Sequence, residues 1–416
     1  MSEAPPRNGA RTRGGPTRRE KAGVSRRLTL TGNDSAAEAM RQIDPDVVAA
    51  FPITPQTELM HKFAEFVADG DVKAEFVLVE SEHSAMSATV GASAAGARAM
   101  TATSANGLAL MWEIVYIAAS CRLPIVMPVI NRALSGPINI HCDHSDTMGC
   151  RDSGWIQLYS ESAQEVYDNV LQAVRIAEHP DVLLPVMVTF DGFIISHTME
   201  VLEGLEDAEA RKWVGEYVPK YSLLNTDSPV TFGPLDLQDY YFEHKRQQIE
   251  AMHKAPGVVR EVGKAYGELS GRPYDLLEWY GPDDAERVIV ALGSTCGTTK
   301  AVIDDMSSEG ASVALLKIRC FRPFAEAEVA ERLSKAKAVA VLDRSVSFGA
   351  PGGPVHKEIK AALYGRGDSA AVLNYIYGLG GRDINTEQIR SVYDDLAVVA
   401  AKGTPEDYIR FIGLRE

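Results

Sequence analysis

The amino-acid sequence predicts an α/β protein of two domains, each built on a parallel β-sheet. Short apolar runs alternate with stretches of helical periodicity, and the pair recurs about every 25 to 35 residues. This alternation occupies residues 28–202 and again residues 273–416. Strands joined by helical crossovers of this length run parallel, and helices then cover both faces of the sheet.

The first block, residues 28–202, is expected to form the N-terminal domain. Its strands are predicted at residues 46–51, 75–79, 98–102, 124–130 and 183–190. Its helices are predicted at residues 35–43, 57–68, 84–97, 108–119 and 162–177. Residues 132–160 are predicted to form a long polar loop, and loops of this length and polarity are commonly functional.

Residues 203–272 are predicted to be a connector that wraps the surface, because prolines recur there, with one helix at residues 237–252. The second block, residues 273–416, is expected to form the C-terminal domain. Its strands are predicted at residues 286–293, 313–317, 338–342 and 372–376. Its helices are predicted at residues 294–307, 324–335, 354–364 and 386–396.

The turn Gly293-Ser-Thr-Cys-Gly-Thr-Thr299 follows the first strand of the second block. Such a turn could hold a phosphate at the N-terminus of the next helix. It lacks the lysine of a P-loop and the spacing of a dinucleotide-binding turn, so a structural turn is the favoured interpretation.

The N-terminal segment, residues 1–27, is predicted to be a disordered basic tail. It carries eight Lys and Arg residues against two acidic residues and has almost no large apolar side chains. No apolar segment typical of a secretory signal occurs in it. A solvated extension is the favoured interpretation, and a tail that binds RNA or a membrane is the alternative.

Charge and cysteine content exclude several classes of protein. The net charge of −15 argues against nucleic-acid binding by the folded part. No run of 18 uninterrupted apolar residues occurs, so no membrane-spanning helix is expected, and the chain is predicted to be cytoplasmic. The five cysteines lack a CxxC pair, which argues against a disulfide framework, a zinc ribbon or an iron–sulfur cluster.

Four polar side chains follow predicted strands of the first block: Thr54, Glu82, Ser104 and Arg132. Functional loops of parallel sheets lie at the carboxyl ends of the strands, so we expect these four to meet at one edge. Residues 77–107, around Glu82, are unusually rich in Ala, Gly, Ser and Thr, which is typical of close backbone approach. A carboxylate at that turn is costly unless it has a partner.

Structural alternatives exist for each of these residues. Glu82 could favour the start of the following helix, Arg132 could form a structural salt bridge, and the Thr54 hydroxyl could stabilise its turn. No GxSxG motif supports a hydrolase, and Glu80 with Glu82 makes a poor acid–base pair. A further polar cluster could line a cavity or bind a partner, and it comprises Asp143, His144, Asp146 and Arg151.

Long motifs in a fixed order carry a resemblance to a known family. They include VESEHSAMSATVGASAAGARAMTATSANGLALM, INRALSGPINIHCDHSDTMGCRDSGWIQLYSES and VLDRSVSFGAPGGPVHKEI. Over about residues 28–396 the chain resembles the α subunit of the 2-oxoacid:ferredoxin oxidoreductases, most closely that of the pyruvate:ferredoxin (flavodoxin) enzymes. The resemblance implies a thiamine diphosphate pyrimidine-binding-type parallel-sheet domain followed by a transketolase C-terminal-like α/β domain.

The same resemblance implies roles for individual residues. Glu82 would pair with N1′ of the aminopyrimidine of thiamine diphosphate and so assist removal of the C2 proton. Arg132 and Thr54 would hold the 2-oxoacid, the guanidinium taking the carboxylate bidentately. The implied cofactor contacts are Pro52, Ile53, Glu82, Ser104 and Asn106. The chain departs from the family pattern at Phe51, where Tyr is commoner, and at Asn106, where Gln is frequent.

The resemblance also implies partner subunits. The chain has no GDG…N segment for a Mg²⁺-bound diphosphate and no CxxCxxC run, so Mg²⁺ and the 4Fe–4S clusters are expected in β, γ and δ (ferredoxin-like) subunits or their fusions. The implied reaction is reversible oxidative decarboxylation of pyruvate with coenzyme A to acetyl-CoA and CO₂, with electrons passing to ferredoxin or flavodoxin. Activity on 2-oxoglutarate or branched-chain 2-oxoacids, and a non-catalytic scaffold, are the alternatives. No nucleic-acid or membrane partner is expected.

Overall fold

The computed structural model describes residues 25–365, 370–403 and 407–415. The basic tail is predicted to be disordered over residues 1–27; residues 1–24 lie outside the described residues, and the prediction is wrong for residues 25–27, which belong to a strand. Strand β1 spans Ser25–Leu30, ahead of the predicted start at Leu28, and pairs antiparallel with the later strand Glu200–Leu205. Leu28 and Leu30 pack against the core, which explains why this segment is a strand.

The N-terminal domain forms a seven-stranded sheet covered by helices on both faces. Six strands of this sheet come from the N-terminal block: β2 Val47–Ala50, β3 Glu75–Leu78, β4 Ala99–Met100, β5 Val126–Asn131, β6 Ile156–Tyr159 and β7 Val186–Asp191. The seventh comes from the C-terminal block. The helices of the N-terminal domain are α1 Gly32–Ile43, α2 Thr57–Asp69, α3 Glu82–Ala94, α4 Ala105–Leu110, α5 Trp112–Ser120, α6 Ser145–Gly149 and α7 Ala163–Glu178. Strands β6, β7, β5, β4, β2 and β3 lie side by side in that order and run parallel.

The prediction of one continuous loop over residues 132–160 is wrong at two places. The short helix α6 and the strand β6 both lie within that range. Strand β6 is buried along its whole length and adds to the parallel sheet beside β7. Only four residues carry its apolar pattern, which is too few for periodicity to distinguish a strand from a loop.

The connector contains more regular structure than predicted. Strand β8 spans Glu200–Leu205, helix α8 spans Asp207–Val214, and helix α9 spans Tyr241–Ser270. Helix α9 passes through Pro256 and continues well beyond the predicted end at residue 252. Its buried stripe, which includes Val259 and Tyr266, packs against the core of the N-terminal domain, and this burial outweighs the backbone hydrogen bond lost at the proline.

The C-terminal domain forms a six-stranded sheet. The strands after the connector are β9 Leu277–Tyr280, β10 Arg287–Ala291, β11 Val313–Ile318, β12 Cys320–Arg322, β13 Ala338–Asp343, β14 Ala371–Ile376 and β15 Ile409–Phe411. The helices are α10 Thr295–Ser308, α11 Glu326–Arg332, α12 Pro354–Leu363 and α13 Thr386–Lys402. The strand order is β15-β14-β13-β10-β11-β9, with β9 alone antiparallel to its neighbour.

Strand β12 joins the two domains. It follows β11 in the chain, but it pairs antiparallel with β6 and becomes the seventh strand of the N-terminal sheet. The N-terminal sheet is therefore completed by three residues from the C-terminal block. Across the part of the chain that the structure describes, no helix has the length and apolar content needed to cross a bilayer.

Candidate active site

The carboxyl ends of the parallel strands bring the predicted site residues to one edge of the N-terminal sheet. Arg132 follows β5, Ser104 follows β4, Thr54 follows β2 and Glu82 follows β3. These strands are neighbours in that order. We call this edge the rim, defined by residues 52–56, 82, 103–107 and 131–132.

Glu82 lies at the first position of helix α3. Ser81 caps this helix, since its hydroxyl accepts a hydrogen bond from the Ser84 N–H at 3.2 Å. Only 7% of Glu82 is exposed, and no donor within the described ranges forms a hydrogen bond or an ion pair with its carboxylate. The helix is therefore capped without Glu82, and an almost buried acceptor is left for a partner outside this chain.

Gly107, in the first turn of helix α4, allows this helix to lie directly against Glu82. A Cβ atom at position 107 would lie 2.8 Å from Glu82 Oε1 and 2.5 Å from Thr103 Oγ1. Both distances are too short for van der Waals contact, so a residue with a side chain would displace the carboxylate. The abundance of small residues around Glu82 is explained in part by this close approach.

Arg132 connects two loops of the rim through its side chain. Its Nη1 donates to the Thr54 carbonyl at 2.9 Å, and its Nε donates to the Asn139 carbonyl at 3.0 Å. Only 8% of the residue is exposed, and no carboxylate among the described residues lies within ion-pair distance of the guanidinium. The salt-bridge alternative is therefore wrong. Nη2 has no protein acceptor in the described ranges and retains its donors.

The turn that carries Thr54 is held by side chains that sequence reasoning missed. Gln56 is buried, and its side chain accepts from the Ile53 N–H at 3.1 Å and donates to the Ala102 carbonyl at 3.0 Å. Asn33 Nδ2 donates to the Pro55 carbonyl at 2.9 Å. Thr54 itself is exposed, and its hydroxyl has no partner in the described part of the chain. The turn is thus stabilised without the Thr54 hydroxyl.

The remaining predicted cofactor contacts differ in how exposed their side chains are to a ligand. Pro52 is exposed and Ile53 is half-buried. Ser104 is fully buried, and its hydroxyl donates to the Ile130 carbonyl at 2.6 Å, so the structure directs it into the sheet edge. Asn106 is exposed, and its side-chain oxygen accepts from the Ser135 N–H at 3.2 Å.

Asp146 ties two turns of the rim together. Its carboxylate accepts from the backbone N–H groups of Ala105 at 3.1 Å and Arg132 at 3.0 Å, and from Asn131 Nδ2 at 2.9 Å. Burial raises the pKa of Asp146 to about 6, against the opposing effect of these donors. The donors lie 14 to 41 residues away in sequence, so no local motif signals this contact.

The other members of the predicted polar cluster do not join Asp146. Asp143 accepts from the Ser145 N–H at 2.9 Å at the start of α6. Arg151 donates to the Met148 carbonyl at 2.6 Å. His144 Nε2 lies 2.7 Å from Asp191 Oδ1. The four residues therefore occupy four different structural positions.

Asp191, at the end of β7, anchors the C-terminal domain. It accepts from the Ser294 N–H at 3.0 Å and from Arg344 Nη1 at 2.8 Å, in addition to its contact with His144. Burial alone would raise the pKa of Asp191, but Arg344 and His144 outweigh it and lower that pKa. Because Ser294 lies at the start of α10, the turn at residues 293–299 gives its donor to a protein carboxylate, which supports its structural interpretation.

Cys142, His144 and Asp191 lie close enough together to resemble a metal site. Arg344 Nη1, however, lies 2.8 Å from Asp191 and 3.7 Å from Cys142 Sγ, and so occupies the position of a cation. Burial raises the pKa of the Cys142 thiol well above its usual range, which disfavours the thiolate that metals bind. The cluster therefore surrounds an ion pair between Asp191 and Arg344 that joins the two domains.

Comparison with known proteins decides the family. A family model described as "Pyruvate flavodoxin/ferredoxin oxidoreductase, thiamine diP-bdg" matches residues 38–264. The chain belongs to this oxidoreductase family. A second model, core domain II of pyruvate:ferredoxin oxidoreductase, matches residues 285–389. The resemblance found in the sequence is thereby confirmed.

Similar members of the family align over almost the whole chain. The pyruvate synthase subunit PorA of Thermotoga maritima is 59% identical over 94% of this chain and 99% of its own length. The ketoisovalerate oxidoreductase subunit VorA of Pyrococcus abyssi is 41% identical over 93% of this chain and 97% of its own length.

Two solved structures show the same fold. The 2-oxoglutarate:ferredoxin oxidoreductase from Magnetococcus marinus has a TM-score of 0.72 at 19% identity, and the match covers 89% of this chain and 65% of that chain. A split-gene transketolase, an inactive β4 tetramer, has a TM-score of 0.52 at 11% identity, and the match covers 89% of this chain and 99% of that chain. The predicted fold class of this oxidoreductase chain is therefore confirmed.

Proposed function

We propose that this chain is the α subunit of a pyruvate:ferredoxin oxidoreductase. The complex would catalyse the thiamine diphosphate-dependent, reversible oxidative decarboxylation of pyruvate with coenzyme A to acetyl-CoA and CO₂, passing electrons to ferredoxin or flavodoxin. One observation carries this proposal: the carboxylate of Glu82 is almost buried and receives no hydrogen bond from the described residues. Buried carboxylates normally accept hydrogen bonds, so a ligand is expected to supply the donor that Glu82 lacks. The chain belongs to a thiamine diphosphate-binding family, so the cofactor is the expected donor.

The residues of the rim fit an aminopyrimidine. Glu82 offers an acceptor beside a glycine backbone at Gly107, and Pro52, Ile53 and Asn106 are open to a ligand at the same edge. Ser104 supports the cofactor site only indirectly, since its hydroxyl bonds to a backbone carbonyl. Bound thiamine diphosphate would supply a nucleophilic carbon and accept the electron pair released by decarboxylation.

The work of Glu82 is to hold and move a proton. Its Oε1 lies beside the Gly107 backbone in a water-poor position, where a hydrogen bond to a ring nitrogen is stronger than in water. A carboxyl group placed there accepts or donates one proton at N1′ of the aminopyrimidine, as general acid–base catalysis requires.

Arg132 and Thr54 are proposed to hold the 2-oxoacid. The Nε and Nη1 atoms of Arg132 already donate hydrogen bonds to backbone carbonyls, which fixes the plane of the guanidinium. Nη2 remains available for a carboxylate. The Thr54 hydroxyl is exposed at the same turn, on the residue whose carbonyl Arg132 contacts. A charge-assisted bond from Nη2 would orient the carboxylate that is lost as CO₂.

The other half of the site is proposed to belong to partner subunits. The chain lacks the residues expected to hold a Mg²⁺-bound diphosphate and a 4Fe–4S cluster, although it spans 99% of the Thermotoga relative, which is itself named a subunit. We assign thiamine diphosphate to the boundary with a β subunit. Mg²⁺ and the 4Fe–4S clusters are assigned to β, γ and δ (ferredoxin-like) subunits or their fusions.

Pyruvate is the proposed substrate. The relative named pyruvate synthase is 59% identical, against 41% for the relative named ketoisovalerate oxidoreductase. The test is a steady-state assay of the reconstituted complex with coenzyme A and a viologen acceptor, comparing pyruvate, 2-oxoglutarate and 2-oxoisovalerate. The highest kcat/KM on pyruvate supports the proposal. Preference for another 2-oxoacid overturns the substrate, and no turnover of any of the three would point to a scaffold.

A further inference from the structure

A turn of the C-terminal domain holds the loop that carries Arg132. The Gly380 carbonyl accepts from Asn139 Nδ2 at 3.1 Å, and the Gly381 N–H donates to the Cys142 carbonyl at 2.6 Å. Both glycines have positive φ, +61° and +80°, and a Cβ atom at position 380 would overlap Asn139 Nδ2. Only a residue without a side chain permits this approach.

Asn139 uses both ends of its side-chain amide. While Nδ2 donates to Gly380, the side-chain oxygen accepts from the His141 N–H at 2.7 Å. The loop is closed further by a bond from the Ala133 N–H to the His141 carbonyl at 2.9 Å. These contacts fix the orientation of the Asn139 peptide and therefore of its carbonyl oxygen.

That carbonyl is the acceptor for Arg132 Nε. A series of three hydrogen bonds therefore runs from the C-terminal domain to the rim: Gly380 to Asn139 at 3.1 Å, Asn139 to Arg132 at 3.0 Å, and Arg132 to Thr54 at 2.9 Å. Each link involves a group that would otherwise be free to rotate. The position of the Arg132 guanidinium is thus set from both sides.

We propose that Asn139 is a positioning residue for the 2-oxoacid carboxylate, through which the C-terminal domain fixes Arg132. This inference rests on the proposed function of Arg132. Without the Asn139 amide, the peptide that receives Nε can rotate and the guanidinium regains rotamers, which substrate binding must then remove. The loss falls on binding of the 2-oxoacid, because Asn139 contacts neither the Glu82 carboxylate nor the turn at residues 103–107 in the described structure.

The test uses the reconstituted complex with Asn139→Ala and, from the other domain, Gly380→Ala. Each substitution is expected to raise KM for pyruvate roughly tenfold, while KM for coenzyme A stays within about twofold and kcat falls less than KM rises. Asn225→Ala is the matched control, since the Asn225 side chain likewise makes two hydrogen bonds to the backbone, accepting N–H groups at 3.1 and 3.2 Å, but in the exposed connector. It should leave both KM values unchanged.

A double-mutant cycle separates positioning from a general loss of structure. In an Arg132→Ala background, Asn139→Ala should add less than about twofold to KM for pyruvate, because the residue it orients is gone. Full additivity, or an unchanged KM for pyruvate in both single variants, would overturn the inference. Failure of the proposed function is distinguishable: the unmodified complex would show no pyruvate turnover if the proposed activity is wrong, and Arg132→Ala alone would leave KM for pyruvate unchanged if Arg132 does not hold the 2-oxoacid.

Discussion

A Cβ atom at position 107 would lie 2.8 Å from the Oε1 atom of Glu82. Helix α4 can therefore approach the first residue of α3 this closely because residue 107 is glycine. The Glu82 carboxylate is almost buried, and its missing donor must come from outside the described chain. The catalytic proposal depends on this geometry.

Gly107→Ala is expected to displace the Glu82 carboxylate and lower turnover of the complex by roughly tenfold or more, since small displacements of a catalytic group are costly. Overpacking should also lower stability by about 1 to 3 kcal/mol. The measurement is kcat/KM for pyruvate with the thermal midpoint of the chain. Gly257→Ala, at an exposed position of helix α9 with nothing within 4 Å of the new Cβ, is the control: it should leave kcat/KM unchanged and should not lower the thermal midpoint, because alanine favours a helix interior over glycine by about 0.5–1 kcal/mol. An active Gly107→Ala complex would mean that the carboxylate need not hold this position.

Gln56→Ala is expected to loosen the turn that carries Thr54. The change leaves the Ile53 N–H and the Ala102 carbonyl without their partner, which should cost about 1 to 3 kcal/mol of stability. KM for pyruvate should rise as well, because Thr54 and Arg132 meet at this turn. Thermal denaturation and steady-state kinetics measure the two effects. Gln247, which is exposed on α9, provides a control substitution that should leave both values unaltered.

Asp146 predicts a pH dependence of stability. Its pKa rises from about 4 in an unfolded chain to about 6 in the folded one, so the folded state binds the proton first as pH falls. Between pH 7 and pH 4 the wild-type chain should therefore gain roughly 2 kcal/mol relative to Asp146→Asn, and above pH 7 the difference should be constant. Thermal midpoints of both proteins across this range test the sign. Parallel curves, or a wild type that loses stability relative to the variant on acidification, would refute it.

Asp191→Asn is expected to weaken the contact between the domains. The substitution leaves the buried Arg344 guanidinium without its charged partner, which typically costs about 3 to 5 kcal/mol. Ser294→Ala removes only one neutral donor to the same carboxylate and should cost about 1 kcal/mol. Calorimetry or limited proteolysis compares the two variants. Equal effects would show that the charge of Asp191 is not what joins the domains.

The sequence predicts the rim well because the rim follows from parallel topology. Once Thr54, Glu82 and Arg132 are recognised as residues that follow strands, their convergence at one edge needs no knowledge of packing. The identity of the cofactor does not follow from topology. It comes from the family, through long motifs around Glu82 and Arg132.

The features that the sequence does not predict depend on contacts between residues far apart in the chain. Asp146 is only one polar residue in a polar loop until the structure brings the Ala105 N–H, 41 residues away, to its carboxylate. Asp191 meets Arg344 across 153 residues and two domains. Strand β12 has three residues and no pattern of its own, so its place in the N-terminal sheet depends entirely on tertiary packing.

The most direct test of the central claim is pyruvate-dependent viologen reduction by the complex reconstituted with Glu82→Gln. Glutamine keeps the shape of the side chain but cannot exchange a proton at N1′, so kcat should fall by about 10²- to 10⁴-fold. Glu80→Gln is the matched control. Glu80 lies two residues earlier, is exposed and accepts from the Ser84 hydroxyl at 2.6 Å, so its loss should leave kcat within about twofold. A Glu82→Gln complex that turns over as fast as the wild type would contradict the account.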